Sequence, residues 1–210
     1  MNYYPAFLNL SSKKIVVIGG GTVAERKILQ LMRADADTIT VISPEITQRL
    51  LKERNKNRFI HIRRNYRKKD LDNAFLVIAA TDEPSLNTKI ARDAPCLVNV
   101  VDEPAECNFI VPSVIKKGPL HIAISTSGVS PAFARTLRKD LERLHGADIS
   151  EYLSFLKTIR AKALIRITDR RKRERFLKRI ASETILKTLR KEGIDAVKKS
   201  ILIDFKKQTT

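Results

Sequence analysis

The sequence has few cysteines and no long apolar run. Cys96 and Cys107 are the two cysteines of its 210 residues. They are too few for a disulfide framework or a four-thiolate zinc site, and neither belongs to a CxxC motif. No run approaches the roughly 18 apolar residues of a membrane span, and Met1–Pro5 lacks the basic and apolar regions of a secretory signal. We therefore expect a cytoplasmic protein without a membrane partner.

Histidine is equally scarce. His61, His121 and His145 are scattered, and none stands in a metal-binding spacing such as HxxxH. The sequence also shows no Ser/His/Asp triad and no P-loop lysine motif. We expect no resident metal site.

Acidic residues are outnumbered, and the formal charge of +18 is uneven along the chain. Residues 1–112 carry +4 and residues 113–210 carry +14. A basic surface attracts nucleic acid, an anionic membrane or a small substrate with many acidic groups, although such a composition is also typical of thermophilic proteins. The cluster Arg170–Arg173 is either a nucleic-acid patch or a solvated helix face, and the interruption by Glu174 and Phe176 favours the solvated face.

The first half of the chain contains short β-branched runs that alternate with helical stretches. Most runs are continuously apolar, as in strands buried on both faces. Helical patterns at Val23–Arg33 and Ser85–Arg92 separate some of them. This arrangement predicts an α/β fold with a Rossmann-type parallel sheet. The runs are Ile15–Ile18, Ile39–Ile42, Phe59–Ile62, Leu76–Ala79, Leu97–Val101 and Leu120–Ile124.

The pattern becomes helical after Ser130-Pro131. We expect further helices, with Asp169 as an N-cap and Gly146 and Gly193 at helix ends. The predicted helices span Ile149–Ile167, Asp169–Leu189 and Ile194–Phe205. We therefore predict a Rossmann domain at 1–112, a small mixed segment at 113–146 and an all-helical lobe at 147–210.

The clearest motif is a glycine-rich turn that follows the first strand. Gly19-Gly20-Gly21-Thr22-Val23-Ala24 has the form G-x-G-x-x-A and stands directly before a predicted helix. In this context the first glycine permits the tight turn, the second lets a diphosphate approach, and the small Ala24 lets the helix pack on the strand. The sequence predicts dinucleotide binding here.

The acidic residue that usually binds the ribose is missing from its expected place. The second strand ends in Val41-Ile42-Ser43-Pro44-Glu45, with Ser43 near the expected position. A serine binds a ribose hydroxyl without repelling a 2′-phosphate, so NAD is favoured only moderately over NADP. Alternatively, Ser43-Pro44 only initiates a turn.

Polar residues also follow the fourth and fifth strands. Thr81 is a candidate cofactor contact, and Asp82 is either part of that edge or a helix cap. Asn99 takes partners from the backbone or from a nicotinamide amide. Asp102 is the best-placed acid, since ligands bind beyond the carboxyl ends of such strands. It is suited to proton abstraction or to steering a metal ion, unless it only caps a turn before Pro104.

A hydroxyl-rich segment precedes the long helical part. Ser130 and Pro131 suit a helix cap and a first turn, but capping does not explain Ser125, Thr126 and Ser127. Together with Arg135 and Arg138, these hydroxyls form a candidate site for substrate carboxylates.

Seven segments together closely resemble the siroheme-synthase dehydrogenase family, the precorrin-2 dehydrogenases, some of which are also sirohydrochlorin ferrochelatases. The resemblance covers about residues 3–145, whereas the helical part is similar only in length and character. One departure is Asp35, where the family commonly has glycine. The segments are Tyr4–Leu8, Ile15–Lys27 (IVVIGGGTVAERK), Val41–Glu45, Ala79–Asp82, Asn99–Asp102 (NVVD), Phe109–Ser113 and Ser125–Arg135.

The resemblance implies NAD-dependent oxidation of precorrin-2 to sirohydrochlorin, with ferrous-ion insertion as a second activity in some members. It implies that Asp102 acts in dehydrogenation and that Gly19–Val23, Ser43 and Pro44 contact NAD. It also implies a homodimer and a carboxylate-rich substrate near Ser125–Ser127. The competing hypothesis is a non-catalytic NAD-binding module whose basic helical lobe binds nucleic acid. That hypothesis leaves Asn99–Asp102 without a task, so we expect no nucleic-acid partner.

Overall fold

The computed structural model describes residues 3–144 and 147–209. The predictions made for His145 and Gly146 lie outside the described residues. The described chain divides into two compact units, and the division falls between Val111 and Pro112.

A parallel sheet forms the centre of the first unit. Its strands lie in the order β3-β2-β1-β4-β5, and each neighbouring pair is parallel. The side chains of β1 are at most 2% exposed, because helices and loops cover both faces; this explains the continuously apolar sequence. The α/β prediction is therefore confirmed. Within the described residues the sheet has five strands: Ile15–Ile18 (β1), Ile39–Ile42 (β2), Ile60–Ile62 (β3), Leu76–Ala79 (β4) and Leu97–Val100 (β5).

Helices connect these strands. They are Thr22–Arg33 (α1), Gln48–Arg54 (α2) and Pro84–Asp93 (α3), with short 3-10 turns at Lys68–Leu71 and Pro104–Glu106. The buried face of α1 carries Ala24, Ile28, Leu31 and Met32, which repeat at helical spacing. Asp35 follows α1 with φ 58°. This is the left-handed conformation that glycine adopts most easily after a helix and that aspartate also tolerates.

The strand order reverses beside β1, the place where parallel sheets of this kind bind nucleotides. Ile18 at the end of β1 pairs with Ala79 at the end of β4, and Ala79 pairs with Val100 of β5. The backbone N–H of Val101 then donates to the Ala79 carbonyl at 2.9 Å. The residues that follow β1, β4 and β5 therefore lie side by side at one edge of the sheet.

The second unit begins with an antiparallel hairpin of Ser113–Lys117 (β6) and Leu120–Ile124 (β7). The prediction that Leu120–Ile124 is one of the buried parallel strands is wrong, because this strand pairs antiparallel with β6 in a separate two-stranded sheet, and β6 was not predicted from the sequence. The burial along β7 alternates residue by residue, because one face of the hairpin packs against the helix Pro131–Leu144 (α4) while the other stays exposed.

Three further helices complete the second unit as far as it is described: Ala147–Arg166 (α5), Arg170–Arg179 (α6) and Glu183–Thr209 (α7). The prediction of Asp169 as an N-cap is confirmed, since its carboxylate accepts the backbone N–H of Lys172 at 2.8 Å. The single helix predicted over Asp169–Leu189 is wrong. The chain turns at Ile180, and the N–H groups of Ala181 and Ser182 bond back to the end of α6.

The helical core of this unit is apolar and tightly packed. The side chain of Phe176 is fully buried, and its ring centroid lies 5.6 Å from that of Phe205. The buried hydroxyl of Tyr152 donates to the Ile180 carbonyl, and burial raises the pKa of Tyr152 to about 12. Gly193 has a non-helical backbone, with φ 83° and ψ 180°, and separates two helical stretches within Glu183–Thr209. The prediction that Gly193 lies at a helix end is therefore confirmed. None of the described helices is long and apolar enough to cross a bilayer.

Candidate cofactor and catalytic site

The first two glycines of the turn after β1 are required by the protein's own backbone. Gly19 has φ 114°, and a Cβ there would lie 2.1 Å from the Ala80 carbonyl oxygen. A Cβ on Gly20 would lie 2.0 Å from the Glu45 carbonyl oxygen. No side chain fits at either position without moving backbone. The lack of a side chain at Gly19 and Gly20 therefore lets the turn after β1 approach the backbone that follows β4 and β2.

Gly21 is different, because it borders open space. No described heavy atom would come within 4 Å of a Cβ at this position. Gly21 is the N-cap of α1, and within the described residues no side chain caps this helix. The first N–H groups of α1, at Thr22 and Val23, therefore have no intrahelical partner. A cradle of free N–H groups at a helix N-terminus fits a dinucleotide diphosphate.

The chain turns after β2 at Ser43-Pro44, as the alternative interpretation of this dipeptide predicted. Ser43 is buried, and its hydroxyl donates to the Glu45 carbonyl at 2.5 Å. Arg63 donates through Nε to the Pro44 carbonyl at 3.2 Å, and His61 Nε2 lies 2.9 Å from the Ser43 carbonyl oxygen. Because the Ser43 proton is used within the turn, this hydroxyl offers a ribose only its lone pairs.

Thr81 at the end of β4 is held by a residue that the sequence analysis missed. Its hydroxyl and its backbone N–H both bond to Oδ1 of Asn87, at 2.7 and 3.1 Å. Asn87 lies on α3 and is buried. Its place on the same helix face as Ile90 was the available signal. The N-cap of α3 is Glu83 and not Asp82, so the cap suggested for Asp82 is wrong.

Asn99 on β5 has protein partners for both ends of its amide. Its Oδ1 accepts the Lys27 ammonium at 3.1 Å, and its Nδ2 donates to the Phe109 carbonyl at 3.2 Å. Nδ2 also lies 3.5 Å from Cys107 Sγ. Of the two partners considered for this buried amide, the protein supplies the backbone one. Asn99 therefore connects β5 to Lys27 of α1 and to the Phe109 carbonyl.

Asp102 lies exposed two residues beyond β5, in a left-handed conformation with φ 63°. Aspartate adopts this conformation more readily than most non-glycine residues, and Asp35 shares it. The negative charge of Asp102 acts on Lys27. Burial and then Arg26 lower the pKa of Lys27, whereas Cys107 and Asp102 raise it. Lys27 was not selected from the sequence, although it lies one residue before the buried Ile28.

The hydroxyl segment of the second unit forms a compact turn before α4. Ser125 Oγ accepts the Ser127 N–H at 3.0 Å, and Thr126 Oγ1 accepts the Ser130 N–H at 3.1 Å. Ser130 caps α4 by accepting the Phe133 N–H at 3.2 Å. Ser125 and Thr126 thus have local structural tasks that the sequence analysis did not foresee, and each hydroxyl keeps its own proton to donate.

The two arginines of α4 differ in their surroundings. Arg135 is exposed. Arg138 is half-buried and donates to Glu142 at 2.6 Å. Arg135 is therefore better placed to bind a substrate carboxylate than Arg138, whose charge is already paired. No cluster of His, Cys, Asp and Glu suited to a metal ion occurs among the residues that the structure describes.

Comparison with known families agrees with this geometry. Residues 6–113 match the family described as putative NAD(P)-binding, and residues 117–144 match the family described as sirohaem biosynthesis protein central. The chain belongs to the family described as putative NAD(P)-binding.

Individual relatives extend the similarity to the helical unit. The siroheme synthase of Mannheimia succiniciproducens is 34% identical over 217 residues, which cover 99% of this chain and 44% of that protein. The siroheme synthase of Thioalkalivibrio sulfidiphilus is 34% identical, with 96% of this chain and 42% of that protein covered. The chain thus spans less than half the length of these curated relatives.

A solved structure covers nearly the whole chain. The structure of SirC, a precorrin-2 dehydrogenase, matches with a TM-score of 0.82 and 26% identity, covering 98% of this chain and 100% of that one. The resemblance therefore continues beyond residues 3–145, through the helices of the second unit. The precorrin-2 dehydrogenase fold is shared over both units.

Proposed function

We propose that this protein catalyses the NAD-dependent oxidation of precorrin-2 to sirohydrochlorin in siroheme biosynthesis. The observation that carries the proposal is that two features lie at the same edge of the sheet. An uncapped helix N-terminus with open space at Gly21 follows β1, and the exposed carboxylate of Asp102 follows β5. The similarity to siroheme synthases and to SirC, a precorrin-2 dehydrogenase, supports the choice of reaction.

The glycine turn holds the cofactor in this proposal. The N–H groups of Gly21, Thr22 and Val23 bind the diphosphate, and Gly19 and Gly20 fix the turn. When bound, NAD supplies the hydride acceptor. Ser43 accepts a hydrogen bond from a ribose hydroxyl, and Pro44 packs beside it. Thr81 and Asn99 stabilise the backbone at this edge. Thr81 does so through its hydrogen bond to Asn87, and Asn99 through its hydrogen bond from Lys27.

Asp102 takes the proton that the substrate loses while its hydride leaves. Its carboxylate is exposed at the edge, so the proton then passes to water. The substrate carries many carboxylates, and we propose that Arg135, Arg138 and the hydroxyls of Ser125, Thr126 and Ser127 bind them. The charge of +14 in residues 113–210 supports this assignment.

The test is anaerobic absorbance spectroscopy of the purified protein with precorrin-2, first without and then with NAD. We expect the sirohydrochlorin spectrum to appear only when NAD is present. Absence of any spectral change with NAD would refute the dehydrogenase assignment. Replacing NAD by NADP in a parallel cuvette measures the cofactor preference.

Ferrous-ion insertion into sirohydrochlorin is a further part of the proposal, with Fe2+ as a substrate. It rests on the relatives named siroheme synthase. Addition of ferrous or cobaltous ion in a second step should convert sirohydrochlorin faster than the reaction without enzyme. An unchanged rate would leave a dehydrogenase without chelatase activity.

We also propose that the protein acts as a homodimer in the cytoplasm, where NAD is available. Exposed apolar side chains on and beside α4 support self-association: Val129 is 88% exposed and Phe133 60%. Light scattering of the purified protein should give twice the 23.8 kDa chain mass, and Phe133→Glu should give the monomer mass. A monomer for the unaltered protein would exclude this assembly.

A further inference from the structure

The turn that follows β2 lies directly against the glycine turn. A Cβ on Gly20 would lie 2.0 Å from the Glu45 carbonyl oxygen and 2.8 Å from Ser43 Oγ. In parallel sheets with a glycine turn of this kind, the ribose next to the diphosphate is bound at the end of the second strand. The turn at residues 43–45 is therefore the part of the protein that faces an adenosine ribose.

The side chain of Arg63 lies against this turn. Arg63 directly follows β3, the neighbour of β2, and its Nε donates to the Pro44 carbonyl at 3.2 Å. The side chain is exposed. Within the described residues its guanidinium bonds through Nε alone. Because a guanidinium has five N–H donors, both terminal amino groups are left for an anion.

The next residue is an arginine with a different task. Arg64 donates through Nη1 and Nη2 to the two carboxylate oxygens of Asp70, at 2.8 and 2.6 Å. This pair connects the end of β3 to the 3-10 turn Lys68–Leu71. For Arg63, the part of the chain that the structure describes supplies a backbone carbonyl and no carboxylate. The charge of Arg64 is used within the fold, whereas that of Arg63 is not.

The donors and acceptors of this edge suit a phosphorylated ribose. An acid at the end of the second strand accepts a bond from the 2′-hydroxyl of NAD, whereas a nearby arginine accommodates the 2′-phosphate of NADP. Here Ser43 follows β2, and its proton is already used in the turn. Its lone pairs can accept a bond from the 3′-hydroxyl, which both nucleotides carry. A guanidinium binds a phosphate through two parallel hydrogen bonds.

We propose that Arg63 is a specificity-determining residue that binds the 2′-phosphate of NADP, so that the protein accepts NADP as well as NAD. This inference rests on the proposed function, because it concerns the cofactor of the same site. The substrate still loses a hydride to the nicotinamide ring and a proton to Asp102, so the oxidation itself is unchanged. Only the affinity for the nucleotide differs, and the exposed acid Glu45 in the same turn acts against the added phosphate.

The first experiment measures nucleotide binding without substrate, by isothermal titration calorimetry at about 0.15 M salt. We expect the dissociation constants of NAD and NADP for the unaltered protein to agree within about tenfold. Arg63→Met should weaken NADP binding by about tenfold or more and leave NAD binding unchanged. Arg63→Lys keeps the charge without the paired donors and should restore part of the NADP affinity. Arg58→Met removes an exposed arginine before the other end of β3 and should change neither constant.

Two results would overturn the proposal. Equal losses of NAD and NADP affinity in Arg63→Met would reduce Arg63 to a structural contact with Pro44. Binding of NAD alone to the unaltered protein would also contradict it. In that case a gain of NADP binding in Glu45→Gln would assign the choice of cofactor to the acid of this turn.

The anaerobic precorrin-2 assay separates this inference from the proposed function. We expect turnover with NADP, and we expect Arg63→Met to raise the KM for NADP while the kcat with NAD stays the same. Binding of NADP through Arg63 without any turnover would contradict the dehydrogenase function and leave the role of Arg63 standing. Turnover with NAD alone would contradict the role of Arg63 and leave the function standing.

Discussion

The hydroxyl of Thr81 donates a hydrogen bond of 2.7 Å to Oδ1 of Asn87, and the same oxygen accepts the Thr81 N–H at 3.1 Å. The amide Nδ2 of Asn87 returns a bond of 3.1 Å to the Thr81 carbonyl. One buried side chain on α3 thereby satisfies the donors and the carbonyl of Thr81, the second residue after β4. This pair therefore bonds the chain beyond β4 to α3 at the carboxyl end of the sheet.

Replacing Asn87 by Leu tests the pair. The variant leaves the N–H and carbonyl of Thr81 without their partner, so we expect the free energy of unfolding to fall by about 1–3 kcal/mol and NAD to bind more weakly. Urea unfolding and a NAD titration measure the two effects. Ser85→Ala removes an exposed hydroxyl of the same helix and is the control. Equal losses in both variants would contradict the role of Asn87.

Gly20 and Gly21 are adjacent, and the same substitution should have opposite consequences. A Cβ at Gly20 meets the Glu45 carbonyl, whereas a Cβ at Gly21 meets open space. We expect Gly20→Ala to lower the urea midpoint, and Gly21→Ala to keep it while weakening NAD binding, because its methyl group occupies the space of the diphosphate. Unaltered NAD affinity in Gly21→Ala would place the cofactor elsewhere.

Asp102→Asn should separate chemistry from binding. Asparagine tolerates the left-handed backbone of this position, so the fold should persist. Without the carboxylate we expect kcat to fall by about a hundredfold or more, with an unchanged NAD dissociation constant. Glu103→Gln removes the neighbouring exposed acid and should keep full activity. The anaerobic precorrin-2 assay measures kcat, and full turnover in Asp102→Asn would remove Asp102 from the mechanism.

The stability of the first unit should depend on pH through Asp70. The Arg64 guanidinium, which donates to both of its oxygens at 2.8 and 2.6 Å, and the Arg67 N–H hold the pKa of Asp70 below its usual value of 3.8. The ionised form is therefore bound more tightly in the folded state. Its contribution is complete above the unfolded pKa and is lost as the pH falls below 3.8 through the folded pKa.

Asp70→Asn should remove this contribution. We expect a lower free energy of unfolding at neutral pH, by about 1 kcal/mol, and a difference from the unaltered protein that shrinks as the pH falls below about 4. Urea unfolding at several pH values measures it. A difference that grows in acid would have the wrong sign for this explanation.

The basic face of α6 tests the competing function. Arg171, Lys172, Arg175 and Lys178 are all exposed. If this face is only solvated, binding to random duplex DNA should be weak and should vanish near physiological salt, about 0.15 M. The double variant Arg171→Glu, Arg175→Glu should retain dehydrogenase activity. Tight DNA binding that persists at this salt and disappears in the double variant would favour the nucleic-acid module.

Local patterns were sufficient for much of the fold. The continuous apolar runs at Ile15–Ile18 and Leu76–Ala79 became buried parallel strands at the predicted bounds, because burial on both faces leaves no polar position in a strand. The hairpin was missed, since Ser113–Lys117 mixes apolar and basic residues on an exposed face. The helix predicted over Asp169–Leu189 was too long, since neither glycine nor proline marks the turn at Ile180.

The candidate site, like the fold, could be predicted only in part from the sequence. The sequence by itself determined the glycine turn, its place between strand and helix, and the carboxylate beyond β5, because each depends on residues adjacent in the chain. Only the tertiary structure decided that Gly20 faces Glu45 and that Gly21 faces open space. It also decided that the Ser43 hydroxyl donates its proton within the turn. The hydrogen bonds of Asn87 to Thr81 and of Lys27 to Asn99 likewise depend on the tertiary structure. These relationships join residues up to 72 positions apart, and hydrogen bonds over such distances exist only after the sheet has brought its strand ends together.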